Sequence, residues 1–171
     1  SGLLRGRKRD VYEGGIRSPL IAWGPGLLDK KAIGTFNLDS VFAAIDLAPS
    51  LLELAGLAPD DGTTFDGEAL TGTLIGKARD SRKKPLYFRR PPDRDAFYGD
   101  NDLPDLAMRE ENWKLLCEYD GSDAELFNLA DDPSETTNIA DAHAAIVERL
   151  TKQIVAWHES MPQDNGDTYQ E

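Results

Sequence analysis

Near the end of the chain Ile139, His143, Ile146, Leu150, Ile154, Trp157 and Met161 recur at helical spacing, and this stripe constrains the fold more than any other feature. The spacing predicts a helix over about 142–160, capped by Asp141, with one apolar face that must be buried against a partner. The residues before it supply that partner. In 113–119 Trp113, Leu115, Cys117 and Tyr119 fall on one face of a strand, 106–109 reads as a second strand across a turn at 110–112, and 85–89 (PLYFR) as a third. Asp120-Gly121 signals a hairpin leading towards 125–129. A small antiparallel sheet covered by the terminal helix is therefore expected. Cys117 reads as a core residue, His143 as structural and His158 as exposed; two histidines so placed make neither a metal pair nor a catalytic triad.

The first half is less regular. Residues 19–23 (PLIAW) form an apolar run closed by Gly24-Pro25-Gly26, which predicts a buried strand and a turn. A helix is expected over 46–55, with Asp46 at its N-cap, Leu51, Leu52 and Leu54 inward, and Gly56 as its left-handed stop. Residues 60–67 (DDGTTFDG) predict a turn; calcium is not indicated there, because EF-hand spacing and a closing Glu are absent. A short helix over 68–75, a basic linker over 76–84 and a long loop over 90–104 carrying Arg94, Phe97 and Tyr98 complete this half. Residues 131–138 (DDPSETTN) read as a turn and 162–171 as an acidic tail.

Composition bounds the functional classes. The chain has 171 residues, 40% of them hydrophobic and 29% charged, which suits one globular domain, and no apolar run approaches the ~18 residues of a membrane span. The net charge of −12 argues against nucleic acid as a partner. Its distribution is uneven: residues 1–94 hold 15 Lys and Arg against 12 Asp and Glu, and residues 95–171 hold 4 against 19. A single cysteine excludes an internal disulfide and a multi-cysteine metal site, and no Asn-x-Ser/Thr sequon occurs.

The positive charge gathers in 5–17 and 77–94. In the first cluster Arg5, Arg7, Lys8, Arg9 and Arg17 surround the pair Gly14-Gly15, a composition that can hold an anion because glycine permits close backbone approach. A solvated basic loop has the same composition. In the second, Arg94 and Tyr98 suit recognition of an anionic sugar or ring, and a plain surface loop is again the alternative.

Six phrases in order, LRGRK, YEGGIRSPLIAWGPG, DLAPSLLELAGL, FDGEAL, ENWKLL and ELFNLADDPSETTNIA, make the chain resemble the C-terminal part of the type I sulfatases of the alkaline-phosphatase-like superfamily. The resemblance runs from Leu3 to Trp157. It implies an α/β fold in which residues 1–84 end the large mixed sheet of a catalytic domain, residues 85–161 form a C-terminal α+β subdomain, and 162–171 a tail. It also implies a sulfuric ester hydrolase, acting on a small-molecule or oligosaccharide sulfate ester, with a formylglycine nucleophile from a C/S-x-P-x-R motif and a calcium ion.

Those parts are expected upstream, so that this chain contains no metal ligand and is inactive alone, its partner being the upstream part of the same sulfatase. Ser160-Met161-Pro162 matches half of the nucleophile motif but has Asp164 in place of Arg, and Asp164-Asn165-Gly166 echoes a metal signature in the wrong place. By resemblance Lys8, five positions before Glu13, is the lysine that contacts the sulfate. Arg7 and Arg9 replace the small residues usual beside it, and with Arg94 and Tyr98 they complete the expected substrate-binding set. Alternatives are a phosphonate or phosphodiester hydrolase of the same superfamily, and a non-catalytic module binding anions or sulfated sugars. Few cysteines and no sequon point to a bacterial periplasmic or secreted protein whose leader is not in this chain.

Overall fold

The alternation in 106–117 is realised as the centre of a four-stranded antiparallel sheet. The structure is a computed structural model that describes residues 2–90 and 103–162. Strands β1 (Leu86–Arg89), β2 (Leu106–Glu110), β3 (Trp113–Cys117) and β4 (Glu125–Asn128) lie in the order β1-β2-β3-β4. Leu115 pairs with Met108 on one side and Leu126 on the other, and Lys114 with Arg109 and Phe127. One face therefore presents Leu106, Met108, Leu115, Cys117 and Leu126; the other presents Ala107, Arg109, Lys114, Leu116 and Phe127.

The first face is closed by the terminal helix, α4 (Ala144–Ser160), whose Leu150 and Ile154 are fully buried with Ile146, Val147 and Trp157 packed around them. Burying each of these two side chains contributes about 1.5–3 kcal/mol. Aromatic contacts run along the seam: His143 tilts against Trp113, Trp157 stacks on Tyr87, and His158 stacks on Tyr119 with ring centroids 4.8 Å apart. His158 is thus half-buried rather than exposed. Asp141 is not the cap of this helix. It lies inside a 3-10 turn (Ala140–His143), and the helix proper begins at Ala144 with no side-chain cap.

The second face is closed by the N-terminal segment. Val11 and Tyr12 enter a cluster with Ala107, Leu116, Phe127 and Leu129, and the one-turn helix α1 (Glu13–Ile16) follows them. The described residues up to 18 accordingly form one contact unit with those from 85 onward, and residues 19–84 form another.

The second unit is built around Asp46, which is fully buried. Its carboxylate accepts hydrogen bonds from the Arg82 guanidinium at 2.7 Å and from the backbone N–H groups of Ala43 and Glu68, both at 2.8 Å. A 3-10 turn (Ala44–Asp46) leads into α2 (Leu47–Leu54), so Asp46 stands at the helix entry without capping it by its side chain. Ser50 donates to the Asp46 carbonyl and accepts from the Leu70 amide, tying α2 to the segment before α3 (Thr71–Leu74). Gly67 is required here because a Cβ would lie 1.9 Å from the Ile45 carbonyl oxygen. Gly56 adopts φ 68° as expected.

Three expectations for this unit fail. Residues 19–23 form no strand; Leu20, Ile21 and Trp23 are 53%, 86% and 84% exposed, and among the described residues no strand pairs with them. Leu51 is exposed, because it follows Ser50, the buried residue of α2, and so points about 100° away from it around the helix. The segment 76–84 is more than a linker, since it delivers Arg82 to the buried Asp46.

Candidate active-site loop

Residues 5–17 form a tight loop on the second face of the sheet. The Asp10 amide donates to the Arg7 carbonyl at 2.9 Å and the Arg7 amide to the Asp10 carboxylate at 2.9 Å, which closes a turn with Lys8 and Arg9 at its tip. Arg9 takes φ 92°, a left-handed value uncommon for a side-chain-bearing residue. Arg7, Lys8 and Arg9 are all exposed. The turn therefore presents three adjacent cationic residues.

The glycine pair explains why the turn holds its shape. The Gly14 amide donates to the Arg5 carbonyl at 2.7 Å, and a Cβ on Gly14 would come within 2.4 Å of the Gly6 carbonyl oxygen. On Gly15 it would come within 2.0 Å of the Asp10 carbonyl oxygen and 2.6 Å of that of Arg7. The backbone of 4–10 thus lies directly on α1, where only glycine fits.

Beneath the loop lies a charge cluster that no sequence pattern announces. Lys114, fully buried on β3, places Nζ 3.0 Å from Glu13 Oε1 and 2.7 Å from Glu135 Oε1, the latter an ion pair outside hydrogen-bond angles. Glu135 also accepts the Glu13 amide at 2.7 Å, while Arg109 approaches Glu13 Oε2 at 3.8 Å. Burial pushes the Glu135 carboxyl up, with Lys114 pulling the other way; burial also lowers Arg109, opposed by Glu13 and reinforced by Arg17.

Arg5 fastens the near end of the loop. Its guanidinium stacks 3.9 Å over the Tyr12 ring, donates to the Glu135 carbonyl at 3.2 Å and lies 3.6 Å from Glu125. The Tyr12 hydroxyl donates to Glu125 at 2.5 Å, and burial followed by that carboxylate pushes its pKa up. Arg5 is therefore engaged within the fold.

Of the predicted site residues, the structure brings Arg7, Lys8 and Arg9 together; Arg94 and Tyr98 lie outside the described residues. Arg90, in the second basic cluster, turns inward, donating to the Pro104 and Leu103 carbonyls and the Asp105 carboxylate. A cleft of about 530 Å³ lined by Leu3, Arg5, Ser134, Glu135 and Thr136 flanks the loop. Among the described residues no group of three His, Cys, Asp or Glu is placed to hold a metal ion. Cys117 is buried, and burial pushes its thiol up to about 12. Ser160 donates to the Trp157 carbonyl at the end of α4.

The fold, the ordered phrases and the anchored basic turn define the C-terminal part of a sulfatase. The chain belongs to the family described as N-sulphoglucosamine sulphohydrolase, C-terminal, whose model matches residues 7–160. It is 31% identical over 151 residues to mouse arylsulfatase K, covering 86% of this chain and 26% of that one. It is also 31% identical over 145 residues to a sulfatase of Formosa agariphila, covering 80% and 25%. The chain thus spans about a quarter of the length of these relatives. A solved Bacteroides thetaiotaomicron structure, described under the metabolism of multiple glycosaminoglycans, superposes with TM-score 0.69 at 23% identity over 92% of this chain and 32% of its own. A structure described as a 2-O GAG sulfatase superposes with TM-score 0.52 at 20% identity, over 72% of this chain and 27% of its own. Among the described residues no helix is long and apolar enough to cross a membrane.

Proposed function

We propose that the full-length protein hydrolyses sulfate esters of a carbohydrate, and that Lys8 of this chain contacts the sulfate. The observation that carries this reading is the placement of Lys8 at the exposed tip of a turn whose backbone is fixed on Gly14 and Gly15. An ammonium held near the sulfuryl oxygens or the bridging oxygen stabilises the charge that develops as the ester bond breaks. Arg7 and Arg9 raise the positive potential around it, and Arg94 with Tyr98 extends the grip on the sugar. The glycosaminoglycan context of the similar solved structures supports the carbohydrate class.

Sulfatases of this type imply formylglycine and calcium. The described residues do not fit either group: they hold no metal-ligand cluster, and Cys117 is a buried, protonated core thiol. In this reading both belong to the remaining three quarters of the protein, and residues 1–84 continue its catalytic domain while 85–161 form a C-terminal subdomain. The chain by itself is then inactive. Export to the bacterial periplasm or medium, where sulfated oligosaccharides are met, completes the reading.

The test is turnover of 4-nitrophenyl sulfate by the full-length protein, with the corresponding phosphate and phosphonate as controls. Lys8→Ala is expected to lower kcat by about 10²–10³-fold. Preferential phosphoester turnover, binding of sulfated sugar without turnover, or an unchanged kcat in the variant would each overturn the proposal.

A further inference from the structure

We propose that Lys114 is a positioning residue for Lys8, acting through Glu13 and Glu135; the inference rests on the sulfate-contacting role proposed above. Lys114 projects from the middle of β3 on the face that carries Leu116 and Phe127, where a lone cation has no solvent to reach. Its two carboxylate partners join each other as well, because the Glu13 amide donates to Glu135. The result is a closed ring: Lys114 ammonium, Glu13 carboxylate, Glu13 amide, Glu135 carboxylate, and back to Lys114.

This ring holds both limbs of the loop that bears Lys8. On the far limb, Glu13 is followed by the two glycines on which the backbone of 4–10 rests without room for a Cβ. On the near limb, the Glu135 carbonyl accepts the Arg5 guanidinium, and Arg5 in turn accepts the Gly14 amide. Residues 5 and 13 are thus both tied to the ring, and the turn 7–10 is suspended between them. Glu135 itself sits at φ 54°, a left-handed conformation that directs its carboxylate and its carbonyl to different parts of the loop. A shift of Glu13 has no slack to absorb it before the turn. Purely for stability, apolar residues in place of all three of Glu13, Lys114 and Glu135 would serve the sheet equally well, since buried ion-pair clusters seldom exceed hydrophobic packing, whereas removing Lys114 alone leaves two buried carboxylates without a counter-charge.

The experiment uses the full-length protein with 4-nitrophenyl sulfate. Lys114→Met is expected to lower kcat by up to about 100-fold with little change in KM, the scale set by misplacing a catalytic group by about 1 Å. Lys114→Arg should recover part of the loss. In a Lys8→Ala background Lys114→Met should cause no further loss, whereas a merely structural role would lower both backgrounds alike. If Lys114→Met does not fold, the triple variant Glu13→Gln, Lys114→Met, Glu135→Gln removes the charges together and is held to the same two criteria. Unchanged kcat, or equal losses with and without Lys8, overturns the inference. If Lys8→Ala has no effect, the sulfate reading fails, and hydrogen exchange then decides the anchoring by itself. Faster exchange at the Asp10 and Gly14 amides in Lys114→Met, with α4 unchanged, supports it; unchanged exchange there overturns it.

Discussion

At the scale of single residues, Glu118 is the carboxyl whose titration is moved up to near neutral pH. It stands just past β3, and partial burial, then a hydrogen bond and charge from Asp105, push its carboxyl from 4.5 up to about 7, against the pull of Arg90. The folded carboxyl therefore keeps a proton that the unfolded chain releases between about pH 4.5 and 7. The associated stabilisation is present in full below 4.5 and is lost as pH rises towards 7. Thermal unfolding at pH 5, 6, 7 and 8 should show Glu118→Gln with a flatter fall of Tm than the parent, by a modest margin because the group is partly solvated. Identical slopes would refute the assignment. That 5–17 forms a basic loop seated on a glycine pair was legible in the sequence, whereas a sulfate-contacting role for Lys8 comes from the family resemblance alone. Lys114 was not legible, because strict alternation along β3 gives a solvent face and a covered face, and only the docking of Val11 and Tyr12 covers both. Glu135 was equally hidden in a polar turn, where nothing in DDPSETTN distinguishes the one carboxylate that points inward.

Among elements, the four strands of the sheet and the body of α4 follow the sequence pattern, because their apolar periods are clear and their partners lie close in sequence. Elements whose stability depends on distant polar partners were misjudged. The stretch 76–84 looks like a basic linker, yet Arg82 reaches back 36 residues to Asp46 with side-chain exposures of 3% and 0%. Arg82→Met leaves that carboxylate with backbone donors but no counter-charge. It should destabilise the chain by about 3 kcal/mol, the lower end of the range for breaking a buried pair, as measured by urea unfolding. The bidentate Arg149–Glu110 pair makes a useful control, since it is largely exposed and its loss should cost little. Similarly, 19–23 has strand composition but, among the described residues, no strand lies beside it.

For the whole molecule, the prominent feature is apolar exposure in the second unit. Leu20, Ile21, Trp23, Leu27, Ile33, Phe36, Leu38 and Leu57 are all more than half exposed. The 171-residue chain should therefore bind the dye ANS in its native state, and Ile21→Ser with Trp23→Ser should reduce that fluorescence without lowering Tm; unchanged fluorescence would place the dye site elsewhere. The sequence marked these residues as apolar, but which of them would find cover depends on contacts that no local pattern encodes. The ring that anchors the Lys8 loop has a consequence for biosynthesis. Glu13 and Glu135 are 122 residues apart, so at about 5–20 residues per second the ribosome needs roughly 6–24 s after making the first before it makes the second. Throughout that interval the loop lacks its Glu135 anchor, and the order of translation completes the seat of Lys8 only after the last strand of the sheet has been made.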